Sequence, residues 1–365
     1  MQEKYNQTRP KWLLPTPKRE DEPAITGLRG LLLNLMQGRN LTRQEATYLL
    51  DQLLTGEATD AQISAALVAL AVKGETVEEL AGMAEAMRSH SDGIESVHRD
   101  FIDTAGTGSS RVKTFNVSTA AAFVIAGAGL PVAKHGSRAA TSRSGSADVL
   151  ESLGVNVSVE KEISQKCLNQ IGICFMFAPL YHASTARVAK IRRELGVHTT
   201  FNLLGPMTNP AGAPFQIMGV WHRDLVEPIA RTLGELGVKK AWVVHGLDGL
   251  DEITVAEKTS VAEVENGLLK LFELSPEEIG FPLAGPGELE KLRGGNAGEN
   301  AGIIRAVLRG ERTDAARSLV IINAAAALFV GGRAADLTEA ARLAQASLDD
   351  GSALAKLENL VEMTN

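Results

Sequence analysis

The chain has 365 residues, 44% apolar and only 4% aromatic, with a formal net charge of −7. That length supports two domains and a sizeable core. The acidic balance argues against a general nucleic-acid or membrane surface, and no apolar run reaches the ~20 residues that span a bilayer.

Residues 1–23 carry Pro10, Pro15, Pro17 and Pro23 among charges, and read as an extended N-terminal tail with no apolar signal-peptide core. From residue 24 the pattern turns helical. Leu28, Leu31, Leu32 and Leu35 recur at helical spacing, and Gly38 stops that helix. Thr42-Arg-Gln-Glu45, Thr59-Asp-Ala-Gln62 and Thr76-Val-Glu-Glu79 each place Glu or Gln three residues after a hydroxyl, the sequence signature of a helix start. A small helical domain is expected over 24–98. Its apolar stripes form its core, and any stripe left over serves as a helix–helix dimer seam.

After His98 the pattern becomes α/β. Strands are expected at 101–103, 132–134, 155–159, 174–177, 216–221 and 241–245, with helices at 119–127, 147–153 and 225–236. The cysteines, Cys167 and Cys174, form no C-x-x-C, so neither zinc nor a disulfide framework is expected, and a reducing cytoplasm is the default. A polar helix at 182–195 carries Arg187, Lys190, Arg192 and Arg193, and Pro206 and Pro210 bracket a rigid turn. Beyond Val261 strands mix with helices, ending in helices at 319–329 and 337–348. Alternating strands and helices imply a mostly parallel central sheet flanked by helices, with ligands at the C-terminal strand ends. The expected fold class is α/β: a small N-terminal helical domain plus a larger domain with that sheet.

The stretch from Asp103 to Glu151 concentrates the chemistry. Gly106, Gly108 and Gly136 let a backbone approach a ligand, Ser109, Ser110, Thr114, Ser118, Thr119, Ser137, Thr141, Ser142, Ser144 and Ser146 supply hydroxyls, and Lys113, Lys134, Arg138 and Arg143 supply positive charge. Such loops ahead of a helix N-terminus form an anion cradle, and phosphate is the anion they suit. A solvated Ser/Gly linker is the bland alternative, but a packed small-residue helix interrupts this stretch. Neither a Walker A loop nor a dinucleotide fingerprint occurs. Downstream, Asp251-Glu252 follow an expected strand across Gly246-Leu-Asp-Gly-Leu250. Alone they would be an exposed acidic turn. Beside a phosphate cradle they can converge on Mg²⁺, which takes one or two carboxylates plus phosphate oxygens.

Several motifs together resemble one family. They are D-x-x-G-T-G from Asp103, T-F-N-V-S-T from Thr114, V-A-K-H-G-x-R from Val132 and S-G-S-A-D-V-L-E from Ser144. To these add KGETVEELAGMAEAMR (73–88), RRELGVHTTFNLLGPMTNP (192–210), VVHGLDGLDEI (243–253) and ENAGIIRAVLRG (299–310). The set resembles the anthranilate phosphoribosyltransferases of tryptophan biosynthesis, fold relatives of the pyrimidine nucleoside phosphorylases. The resemblance implies that about 183–205 joins the helical domain, leaving 99–182 and 206–365 as the α/β catalytic domain.

It also implies a reaction: Mg²⁺-dependent transfer of phosphoribosyl from 5-phosphoribosyl 1-diphosphate to the amine of anthranilate. Gly106, Ser109, Ser110, Thr114, Asn116, Val117, Ser118, Thr119, Lys134, His135, Gly136, Ser137, Arg138, Ala139, Ala140, Thr141, Ser142 and Ser146 would line the phosphoribosyl diphosphate. Ser118, Asp251 and Glu252 would hold Mg²⁺. Gly106, Ser137, His182, Arg192 and Pro206 would meet anthranilate, and Lys134, His135 and Arg192 would carry the catalysis. A guanidinium can pair bidentately with the anthranilate carboxylate, although Arg193 is an equally basic neighbour. His135 and His182 are equally readable as ordinary packed or solvated histidines.

Two departures stand out. The family loop G-T-G-G-D-G is here Gly106-Thr-Gly-Ser-Ser-Arg111, and K-H-G-N-R is Lys134-His-Gly-Ser-Arg138. The resemblance further implies a cytoplasmic homodimer acting on small molecules. Alternatives are a different aromatic acceptor, a nucleoside phosphorylase, or a non-catalytic nucleic-acid-binding paralogue.

Overall fold

A computed structural model describes residues 27–108, 110, 112–139 and 143–365. The N-terminal tail lies outside the described residues. The described residues form two compact units: one holds residues 27–90 together with Ser184–Leu204, the other Ser91–Ala183 with Gly205–Asn365.

The first unit is helical, built from Gly27–Met36, Arg43–Leu54, Asp60–Lys73, Val77–Ser89 and Ala186–Leu195. Thr42, Thr59 and Thr76 each accept from the backbone three residues on, with Glu45, Gln62 and Glu79 reaching back, so all three expected capping boxes form. Helices Arg43–Leu54 and Val77–Ser89 cross closely at Gly82, where a Cβ would lie 2.1 Å from Arg43 O. Thr47 Oγ1 donates to Gly82 O across that contact at 3.0 Å. The polar helix expected at 182–195 begins only at Ala186, after a 3₁₀ turn at Ala183–Thr185.

The second unit holds a seven-stranded sheet in the order β3-β2-β1-β4-β5-β6-β7. Its strands are β1 (Ile102–Asp103), β2 (Val132–Gly136), β3 (Ile173–Phe177), β4 (Phe215–Gly219), β5 (Lys240–Gly246), β6 (Thr259–Glu265) and β7 (Leu268–Leu274). β1 to β5 run parallel, and β6 and β7 add an antiparallel edge. Parallel strands need both faces covered, which is why β2 to β5 read as nearly continuous buried runs. Ala-rich helices Val117–Gly127 and Ala315–Val330 are buried along most of their length within one continuous core. Among the described residues no helix is long and apolar enough to cross a membrane.

Two expectations are corrected. Residues 155–159 form a turn rather than a strand. Val155 and Val157 are buried, but Asn156 Oδ1 accepts from Ser158 N, an Asx turn that competes with a ladder. Pro206 lies inside helix Phe201–Met207 rather than at the edge of a turn. It is the sixth of the helix's seven residues, so its missing N–H falls in the last turn, and the helix ends one residue later.

Candidate active site

The first glycine loop leaves β1 and meets the end of β4. A Cβ on Gly106 would lie 3.0 Å from Gly219 O, and Thr107 donates to that oxygen through its N–H (2.9 Å) and Oγ1 (3.2 Å). Gly219 is in turn covered by Asp251, whose carbonyl oxygen would be 1.7 Å from any Cβ there. Two glycines thus bring the acid pair against the first loop.

The turn bearing that pair is braced. Gly246 N donates to Leu250 O (2.9 Å), and the Asp248 carboxylate accepts from Leu250 N and Thr254 Oγ1. Asn323, from helix Ala315–Val330, donates to Ile253 O (2.9 Å) and accepts from Ile253 N (3.0 Å), clamping the peptide after Glu252.

Lys134, at β2, is buried, with Nζ 3.2 Å from Thr104 Oγ1 and 3.4 Å from Ser118 Oγ. Burial pulls its pKa down, while Asp103 and Glu252 pull it back up. Glu252 retains some accessible surface, yet its carboxyl is closely surrounded by protein atoms. Burial and then Asp251 push its pKa up to about 8, against the opposing pull of Lys134 and the Ser118 N–H. Two adjacent carboxylates beside one buried ammonium leave the site short of positive charge. A hard divalent cation would relieve that deficit. Among the described residues no group of three or more His, Cys, Asp or Glu side chains is gathered as a metal site, here or elsewhere.

Beneath Lys134 lies a network that sequence reasoning missed. Asp103, fully buried, accepts from Ala105 N (3.1 Å), His135 N (3.2 Å) and Asn209 Nδ2 (2.7 Å). Asn209 also donates to Ala133 O at 2.8 Å. Burial pushes the Asp103 pKa up, opposed by Lys134 and these donors. The network ties together the first glycine loop, the Lys134-His135 pair and the segment after Pro206. Its signal in the sequence was an aspartate ending a buried strand and an asparagine between prolines.

Helix Val117–Gly127 points its first turn at this region. Asn116, before it, makes no side-chain cap and instead accepts from Asn300 Nδ2 at 2.9 Å. Thr119 Oγ1 is buried without a partner among the described residues. Thr114 pairs through its backbone with Arg293, and Ser110 is buried and donates to Val112 O. In the second loop a Cβ on Gly136 would lie 2.2 Å from Ser146 Oγ. Ser137 O accepts from Ala147 N, and Asp148 accepts from the N–H groups of Ala139 and Gly145. Arg138 is exposed and already paired with Glu151 (2.6 Å) and Asp148 (3.1 Å), so its charge is neutralised within its own loop and helix. Ser109, Ala140, Thr141 and Ser142 lie outside the described residues.

His135 and His182 pack ring to ring, with centroids 5.1 Å apart. His135 Nδ1 lies 3.2 Å from Gly205 O, an acceptor, so Nδ1 carries the proton and Nε2 is left as a buried acceptor. Burial above all lowers the two pKa values, to about 3 for His135 and about 4 for His182. Pro206 O accepts from Gln216 Nε2 at 2.6 Å.

Arg192 belongs to the first unit. It is half-buried, donates through Nη2 to Asn202 Oδ1 (3.2 Å) and stands 5.4 Å over the Phe201 ring. Its Nε is buried without a partner among the described residues. Arg193 is exposed. The geometry thus separates two arginines that the sequence left equivalent.

Residues 98–354 match the a/b domain of a glycosyl transferase family, and residues 29–91 match that family's helical bundle domain. The anthranilate phosphoribosyltransferase of Moorella thermoacetica is 46% identical over 334 residues, covering 92% of this chain and 97% of that protein. That of Pelotomaculum thermopropionicum is 47% identical over 337 residues, covering 92% and 96%. The crystal structure of the Thermus thermophilus enzyme of the same name superposes with a TM-score of 0.86 at 38% identity, over 91% of this chain and 98% of that one. The Saccharomyces cerevisiae enzyme in complex with PRPP and Mg superposes with a TM-score of 0.82 at 29% identity, over 92% and 97%.

Proposed function

The chain belongs to the anthranilate phosphoribosyltransferase family, and from that premise we propose how its own residues carry out the reaction. The reaction is transfer of phosphoribosyl from 5-phosphoribosyl 1-diphosphate (PRPP) to the amine of anthranilate, giving N-(5-phosphoribosyl)anthranilate and diphosphate. The observation that carries the assignment of roles is the convergence of Gly106, Lys134, Ser118, Asp251 and Glu252 in one place.

Lys134 presents a fixed cation to the diphosphate, held by Thr104 and Ser118. The backbone at Gly106 and the first turn of helix Val117–Gly127 add N–H groups for phosphate oxygens. Asp251, Glu252 and Ser118 would hold Mg²⁺, which when bound neutralises charge on the diphosphate leaving group. Diphosphate leaves C1 of the ribose as the amine nitrogen bonds to it, and the nitrogen, acidic once it carries the new bond, gives up one proton to solvent. An aryl amine is neutral at pH 7, so no strong base is required. Neutral His135 offers Nε2 as the acceptor for an amine N–H. Arg192 pairs with the acceptor carboxylate. Positioning and fixed charge therefore supply most of the rate.

Support for a homodimer through the helical unit comes from its exposed Met36, Val68 and Val72. Support for a reducing, cytoplasmic setting comes from Cys167 and Cys174, both free and buried. The test of the reaction is loss of anthranilate fluorescence with purified protein, PRPP and Mg²⁺. No loss at any Mg²⁺ concentration rejects it. Rescue of a tryptophan auxotroph separates anthranilate from any other aromatic acceptor.

A further inference from the structure

The segment Lys73-Gly-Glu-Thr76 joins helices Asp60–Lys73 and Val77–Ser89 in the first unit. Three of its residues have local tasks. Lys73 pairs with the fully buried Glu79 at 2.7 Å and donates to Asn40 Oδ1 and Gly74 O. Gly74 turns the chain at φ +81°, where a side chain would be strained. Thr76 caps the second helix, and Glu79 also accepts from Leu41 N. The segment is therefore stiff.

The fourth residue, Glu75, reaches far along the chain. Its carboxylate accepts from Thr200 Oγ1 at 2.5 Å. Thr200 is 1% exposed, and its carbonyl accepts from Leu203 N and Leu204 N, opening helix Phe201–Met207. Fixing Thr200 fixes the next two residues, and those are the ones that hold Arg192. Phe201 puts its ring under the guanidinium, and Asn202 Oδ1 accepts from Arg192 Nη2 (3.2 Å) and from Thr199 N (3.0 Å).

We propose that Glu75 is a positioning residue for Arg192, acting through Thr200 to set Phe201 and Asn202 and so to aim the guanidinium at the acceptor's carboxylate. The proposal rests on the reading of Arg192 made above. An arginine has several rotatable bonds, and ordering them on binding costs affinity. Here a ring contact and one hydrogen bond order the side chain in advance, while Nε, buried and unpartnered among the described residues, is left for a ligand oxygen. Loosening the Glu75–Thr200 strut should therefore weaken acceptor binding and leave PRPP binding alone.

The test uses Thr200→Val, which keeps shape and removes the donor, Thr200→Ser, which keeps the donor, and Arg192→Ala. Circular dichroism confirms that each variant is folded. Thr200→Val should raise KM for anthranilate about tenfold, with KM for PRPP and kcat within about twofold, and Thr200→Ser should stay near wild type. In an Arg192→Ala background, Thr200→Val should add nothing, because the strut acts through the missing side chain. A Thr200→Val effect that adds in full to Arg192→Ala, or that falls equally on both KM values, overturns the proposal. So does a silent Thr200→Val beside an Arg192→Ala that raises KM for anthranilate, and this leaves the reading of Arg192 standing. An Arg192→Ala with unchanged KM for anthranilate overturns that reading, and the proposal with it.

Discussion

Gly219 and Asp251 touch backbone to backbone, so closely that a Cβ on the first would sit 1.7 Å from the carbonyl oxygen of the second. The contact seats the acid pair against the glycine loop, since Gly219 O also accepts from Thr107 N and Thr107 Oγ1. Gly219→Ala must push the 246–254 turn outward. Because the obstacle is backbone, the cost should exceed the ~1–3 kcal/mol of ordinary overpacking. Activity at saturating anthranilate should fall, and more Mg²⁺ should be needed for half-maximal rate. A variant with wild-type Mg²⁺ dependence would show that the acid pair does not depend on this seat.

Glu252 illustrates strain kept for function. Its carboxyl pKa, about 8, lies above its ordinary value, so its contribution to folding is fully present below about pH 4.5 and is lost as pH rises through about 8. Glu252→Gln removes that penalty. Without Mg²⁺ the variant should melt at a higher temperature than wild type at pH 8.5, with no such gain at pH 4.5. Its activity should fall on the order of 100-fold, as expected for loss of a charge that stabilises a leaving group. Differential scanning calorimetry at both pH values and the fluorescence assay check the two halves.

The Asp103–Asn209 contact makes a third expectation. Asn209→Ala removes the 2.7 Å donor to a fully buried carboxylate and leaves Ala133 O without that partner. An unsatisfied buried group costs about 1–3 kcal/mol, more when it is charged. Chemical denaturation should show a loss of at least that size. kcat/KM for PRPP should fall as well, because Asp103 also holds His135 N, next to Lys134. A stability change under ~0.5 kcal/mol would mean that water replaces the amide.

Periodicity and caps made much of the framework legible in the sequence. Thr42, Thr59 and Thr76 announced their helices because a capping box is a local device, complete within four residues. The strands carrying the loops were legible as apolar runs. Residues 155–159 misled because burial of Val155 and Val157 has the same alternation with or without a ladder, and only Asn156, bonding its own neighbour, decides. In the candidate site, glycines and hydroxyls marked the loops, but not the polar groups beneath them. Asp103, Asn209, Thr104 and Asn323 act through partners distant in sequence, such as Asn209 to Asp103 and Asn323 to Ile253. Such pairings are tertiary facts that no local pattern encodes. Arg138 shows the reverse case: a cation in a phosphate-like loop whose guanidinium is paired with Glu151 one helical stretch away.

The two histidines that pack ring against ring give a stability signature in acid. His135 and His182 are buried and neutral, with pKa values of about 3 and about 4 against an ordinary value of 6.5. For a base whose folded pKa is lowered, the stabilising contribution is complete above the unfolded value and is lost as pH falls below it, because the unfolded chain takes up the proton first. Each histidine should therefore add a slope of about 1.4 kcal/mol per pH unit as pH drops from about 6.5 toward 4. His182→Asn keeps a polar side chain near the site but cannot titrate there, so it should flatten the pH dependence of unfolding free energy by about one proton in that window. His135→Asn should do the same, with kcat reduced as well, since it also removes the Nε2 acceptor. Urea unfolding at half-unit steps between pH 7 and 4 measures the slopes. If the variant and wild-type slopes coincide, the imidazoles take up their protons in the folded protein at the same pH as in the unfolded chain, and burial does not lower their pKa values.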